Sequence, residues 1–80
     1  MKEIPVDVRR CILGADYYIS TKGRSGSRFV GINLMTSEDS LEVVAEVEGE
    51  EELKYCEISI EDLLRHANEA EKAGFAGSNN

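Results

Sequence analysis

Residues 41–73 read LEVVAEVEGEEELKYCEISIEDLLRHANEAEKA, and the period of the apolar residues in this stretch changes once, at Ser59. Before Ser59 the chain alternates. Leu41, Val43, Ala45 and Val47 point one way, and Glu42, Val44, Glu46 and Glu48 point the other, as in a half-buried strand. Gly49-Glu50-Glu51-Glu52 is a connection of ordinary hairpin length. Leu53 to Ile58 then returns, with Cys56 and Ile58 opposite Tyr55 and Glu57. After Ser59 the period is about 3.6. Ile60, Leu63, Leu64, Ala67 and Ala70 fall on one helix face; Glu61, Arg65, Glu69 and Lys72 fall on the other. Ser59 can cap the helix, and Asp62 takes the capping-box position more often held by Glu or Gln. Gly74 stops it. The pattern predicts a β-hairpin over 41–58 and a helix over 60–73.

Upstream the reading is less direct. Ile4-Pro5-Val6-Asp7-Val8 alternates like a strand, and Pro5, which has no N–H to donate, confines it to an edge or a strand start. The same stretch fits a helical stripe of Ile4, Val8, Cys11, Ile12 and Ala15, with Pro5 in the first turn. The density of β-branched residues and the nearness of Gly14 favour the strand. Gly14-Ala15-Asp16 reads as a turn, and Tyr17 to Thr21 is rich in strand formers. Lys22 to Ser27 is a loop by composition. Arg28 to Thr36 reads as a strand, with Val30, Ile32 and Leu34 on one face and Phe29, Gly31, Asn33 and Met35 on the other. Thr36 to Ser40 is polar and turn-like. The expected fold is α+β: an antiparallel, meander-like sheet of four to five strands with one C-terminal helix packed on one face. The domain spans residues 1–74, with 75–80 as a flexible C-terminal tail. A helix stripe needs an apolar partner. One sheet face is therefore covered, and the other is the natural place for function.

Composition bounds the function. A chain of 80 residues, 41% hydrophobic and 31% charged, suits one globular domain. Its five aromatics include no Trp, so the core rests on Val, Ile and Leu. Cys11 and Cys56 are too few for a secreted disulfide framework. They read as buried, reduced thiols, with a cross-strand disulfide as the alternative. No stretch has the pattern of a signal peptide, and the longest apolar run is three residues. A cytoplasmic protein without a membrane partner is expected.

The net charge of −7 is unevenly spread. Residues 1–37 carry six cations against three acids; residues 38–80 carry three cations against thirteen acids. An acidic surface repels nucleic acid and membranes and attracts basic protein surfaces.

Two clusters carry candidate chemistry. Glu42, Glu46, Glu48, Glu50, Glu51 and Glu52 form an acidic ridge if the hairpin projects. Carboxylates at alternate strand positions repeat on roughly the spacing of backbone phosphates, about 6–7 Å, and such a ridge can occupy a groove lined by Lys and Arg. The plainer reading is a solvated face that keeps a small sheet soluble and unpaired. Lys22, Arg24 and Arg28, with Gly23, Gly26, Ser25 and Ser27, form the one basic loop. Such a loop can hold a phosphate, and with Tyr17 and Tyr18 before it and Phe29 after it can bind single-stranded nucleic acid by charge and stacking. Walker spacing is absent. The plainer reading is a solvated hairpin tip beside core aromatics.

His66, the only histidine, reads as a surface residue of the helix, with no nucleophile or orienting acid placed beside it. No second His, CxxC or calcium-loop pattern points to a metal, and no cofactor is expected.

No motif matches a known family. In size and charge alone the chain resembles a type: the small acidic single-domain inhibitors of phages and mobile elements, including DNA mimics and anti-CRISPR proteins. The expected function is non-enzymatic binding, an inhibitor or adaptor docking its acidic hairpin on a basic surface of a nucleic-acid-handling protein. The alternative is a small nucleic-acid-binding regulatory domain using loop 22–28 and its aromatics. A homodimer through the exposed sheet face is a further expected partner state.

Overall fold

A computed structural model describes residues 8–34 and 39–75. The element order is α1 (Val8–Lys22), β1 (Ser27–Leu34), β2 (Ser40–Val47), β3 (Lys54–Ser59) and α2 (Ile60–Ala73). The strands form one antiparallel sheet in the order β1-β2-β3. Both helices lie on the same side of it and pack on each other.

The hairpin and the second helix stand where the periodicity puts them. In β2, Leu41, Val43, Ala45 and Val47 are all buried, facing the helices. Gly49 turns the chain at φ 88°, and the Glu50 amide donates to the Val47 carbonyl at 3.0 Å, closing a tight turn that demands a residue at positive φ. Ser59 accepts the Asp62 amide at 3.1 Å as the N-cap of α2. Gly74, at φ 73°, ends α2 with its amide on Glu71 and the Phe75 amide on the Ala70 carbonyl.

The N-terminal half corrects the expected architecture. The described residues hold three strands and two helices, not four to five strands and a single C-terminal helix. Residues 4–7 of the expected first strand lie outside the described residues, as do 35–38 and 76–80. From Val8 onward the chain is helical through the expected turn at Gly14 and the expected strand at Tyr17 to Thr21. Local propensity loses to packing here. The strand preference of Tyr, Ile and Thr amounts to at most about 1 kcal/mol per residue and depends on context. Against it stands a stripe of Cys11, Ala15 and Ile19 at four-residue spacing, buried on α2 and the sheet. The hydroxyls of Ser20 and Thr21 are satisfied within the helix. Thr21 Oγ1 donates to the Tyr17 carbonyl at 2.7 Å, and Ser20 Oγ donates to Asp16 Oδ1 at 3.3 Å.

Strand β1 also departs from simple alternation. Its register with β2 shifts between Phe29 and Gly31. One extra residue, Val30, is accommodated there, as in a β-bulge. Phe29 opposes Ala45 and Ile32 opposes Val43, so both face the core, while Val30 is turned to solvent. The expected grouping of Val30 with Ile32 is therefore broken, because each residue before the bulge changes face. Met35 falls outside the described residues.

Both cysteines are free, and the expectation of two buried thiols holds for one: Cys11 is buried in α1, whereas Cys56 is exposed on β3. Cys56 faces the helix side by register with Val43, but at an edge the helices leave open. His66 is likewise corrected from surface to interior, only 6% exposed, with its ring 5.0 Å from that of Tyr18.

Candidate functional site

The acidic hairpin and the basic loop, distant in sequence, lie side by side. The pairing of Ser27 with Val47 and Arg28 with Glu46 brings the end of the loop against the end of β2, and the Glu48 amide donates to the Gly26 carbonyl at 3.0 Å. Three cations are thereby spent on the hairpin. Arg28 bonds Glu46; Arg24 Nη1 lies 3.2 Å from one Glu50 oxygen, and Lys54 Nζ lies 2.7 Å from the other. Between them runs a shallow groove of about 420 Å³ lined by Gly26, Arg28, Glu46, Val47, Glu48, Gly49 and Glu50. The hydrogen bond from Lys54 holds the Glu50 carboxyl below its ordinary value; it outweighs the opposing effect of desolvation, and the charges of Lys54 and Arg24 add to it. Lys22 reaches Glu69 on α2 at 3.7 Å.

These pairs divide the six glutamates. Glu46 and Glu50 are compensated by cations, and Glu42 accepts from Asn33 Nδ2 at 3.0 Å. Glu48, Glu51 and Glu52 are exposed at the hairpin tip and take part in no ion pair among the described residues. The ridge is thus not a uniform row of charge but an uncompensated tip above a neutralised base.

Tyr17 and Tyr18 lie on α1, not in a strand leading into the loop. Tyr17 meets Phe75 edge-on at 5.4 Å, and the Tyr18 ring lies tilted against His66 at 5.0 Å. Both rings are engaged with the C-terminal helix and the residue that follows it. Phe75 is thereby tied to α1; the rest of the expected tail lies outside the described residues. His66 Nδ1 is buried without a hydrogen-bond partner and sits 3.6 Å from Glu69 Oε1.

The sheet face turned away from the helices holds residues that the sequence reading did not single out. By register, Gly31, Val44 and Tyr55 form a row across all three strands, with Asn33, Glu42 and Glu57 forming the next row. Among the described residues, Val30, Leu53 and Tyr55 are the exposed large hydrophobics, at 48%, 39% and 57%. With Val44 and Gly31 they border a depression of about 240 Å³. Val44 and Tyr55 were visible in the alternation as apolar members of the acidic face. Val30 was hidden by the bulge, which no sequence signal marked.

Among the described residues no group of three or more His, Cys, Asp and Glu side chains could hold a metal ion, and no helix is long and apolar enough to cross a membrane. The arrangement is that of a small two-layer α+β domain with an open, acid-rimmed sheet face. The chain matches no protein-family model, no curated protein and no solved structure.

Proposed function

We propose that this protein is a non-enzymatic binding module, an inhibitor or adaptor that docks on a basic protein surface, such as that of a nucleic-acid-handling complex. One observation carries the reading: Arg24 and Arg28 of the basic loop are bonded to Glu50 and Glu46, so the hairpin consumes the cations that a polyanion would need. What is left uncompensated on the hairpin and the open sheet face, among the described residues, is acid: Glu48, Glu51 and Glu52 on the tip and Glu42 and Glu57 on the face. The nucleic-acid alternative loses its aromatic platform as well, since Tyr17 and Tyr18 pack on Phe75 and His66. A cytoplasmic setting belongs to the same proposal; the free, exposed thiol of Cys56 suits a reducing compartment.

The test is a set of titrations and captures. Single- and double-stranded DNA and RNA are titrated at low salt, and no binding tighter than about millimolar is expected, because phosphate binding needs free cations. Capture of partners from cell extract is then compared between the native chain, a triple variant with Glu48, Glu51 and Glu52 changed to Lys, and a control with Arg24 and Arg28 changed to Glu. A basic partner that the native chain and the control retain and the triple variant loses supports the reading. Micromolar binding to nucleic acid, abolished in the control, overturns it.

A further inference from the structure

We infer that the depression over Gly31 on the open sheet face seats an apolar side chain of the partner, and that a cation carried by the same partner segment meets Glu42 and Glu57. This inference rests on the reading of a basic partner surface and gives that surface its chemistry.

The first support is Gly31 itself. Its φ lies outside the left-handed region, and a Cβ built on it meets nothing within 4 Å. The backbone therefore does not require glycine there, and neither does packing. A glycine inside a strand costs stability relative to a residue with a side chain, and it often marks a place where another group approaches closely. Here its effect is to leave open the β1 side of an apolar patch whose floor is the buried Val44 of the central strand and whose exposed members are Val30, Leu53 and Tyr55.

The second support is charge. Glu42 and Glu57 are direct cross-strand neighbours on this face. Like charges in that position are destabilising. Each is satisfied only by a neutral donor, Asn33 for Glu42 and Ser40 for Glu57, and no ion pair among the described residues reaches either. The opposite end of the face differs, since Glu46 there is already paired with Arg28. The open demand for a cation thus lies at one end of the apolar patch, two strand residues from the Gly31–Val44–Tyr55 row. That is roughly 6.5–7 Å along a strand. A partner segment in extended conformation matches it with an apolar residue and an Arg or Lys two positions apart. A second copy of this chain does not match. The one cation a second copy would bring to this face, Arg28, is already bonded to Glu46, so the carboxylates of the two copies would face each other without a free cation between them, and like-charge juxtaposition opposes docking.

Two capped peptides serve as probes: Arg-Ser-Phe-Ser-Arg and its control Arg-Ser-Ser-Ser-Arg, titrated into the isotope-labelled protein and followed by amide chemical shifts. The expected result is binding of the Phe peptide at least tenfold tighter than the control, with the largest shifts at Val30, Gly31, Val44 and Tyr55. Gly31→Val fills the depression in space the fold leaves empty, and it should reduce Phe-peptide binding to the level of the control. Should Gly31→Val not fold, Tyr55→Ser, at an exposed position, reads the same contact. Replacing Glu42 and Glu57 by Gln should weaken both peptides alike. Equal binding of the two peptides with shifts confined to residues 48–52 overturns the seat while leaving the basic-surface reading standing. Undiminished Phe-peptide binding by a folded Gly31→Val overturns the seat as well. Absence of binding by either peptide overturns both. A concentration-dependent dimer whose contacts map to this face overturns the assignment of the occupant.

Discussion

A Cβ on Gly14 would lie 1.9 Å from the carbonyl oxygen of Leu63, so helices α1 and α2 touch backbone to backbone at this point. The same atom would come within 2.9 Å of the Leu63 carbonyl carbon and 3.0 Å of the Ala67 amide nitrogen. In an exposed helix, Gly→Ala stabilises by up to about 1 kcal/mol. Here the sign reverses. Gly14→Ala forces the helices apart and should cost on the order of 1–3 kcal/mol or more. Chemical denaturation of the variant checks it; an increase in stability would show that the two helices do not approach so closely.

Leu63 and Leu64 are adjacent members of the same apolar stripe, but they are not equivalent. Leu63 is fully buried between the helix pair and the sheet, while Leu64 is only partly buried against the core. Leu63→Ala should cost about 2–5 kcal/mol. Leu64→Ala should cost clearly less, because part of its surface is already in water. Equal losses in paired denaturation curves would mean that α2 is rotated about its axis.

Acid should weaken the contact between hairpin and loop in a defined way. Lys54 and Arg24 lower the folded-state value of Glu50 below the ordinary 4.5, so the group contributes stability above that value. The contribution is lost as pH falls through 4.5 and then through the lower folded value. Lys54→Gln removes the largest cause. The stability gap between the native chain and Lys54→Gln, measured by urea denaturation across the acid range, should therefore be present at neutral pH and close on acidification. A gap that widens in acid would contradict the ion-pair account.

Charge at the hairpin tip should matter for encounter and not for folding. Exposed ion pairs and surface charges each contribute about 0–1 kcal/mol. Changing Glu48, Glu51 and Glu52 to Lys should leave the melting temperature within a few degrees of native. It should slow association with a basic partner, and native binding should weaken with salt, since exposed charges are screened beyond about 8–10 Å. Stopped-flow or surface-based association rates measure both effects. An unchanged on-rate would place the interface away from the tip.

The sequence by itself determined the β2–β3 hairpin and α2. Their signals are local: alternation from Leu41 to Val47, a glycine where a tight turn needs positive φ, a serine N-cap, and an apolar stripe closed by Gly74. The individual glutamates of the candidate site were legible for the same reason, as was the overall acidity. Only the tertiary structure decided the rest. Val8 to Lys22 became a helix because a stripe of Cys11, Ala15 and Ile19, with Gly14 beside it, finds its partner in residues some fifty positions later. The bulge at Val30 set which residues of β1 face the open side, and register placed Arg28 on Glu46 and the loop against the tip. His66 was buried because Tyr18 of α1 packs over it. In each case the deciding neighbour lies far along the chain. Periodicity and propensity report what a segment can form, whereas long-range contacts choose among those forms and determine which charges remain free.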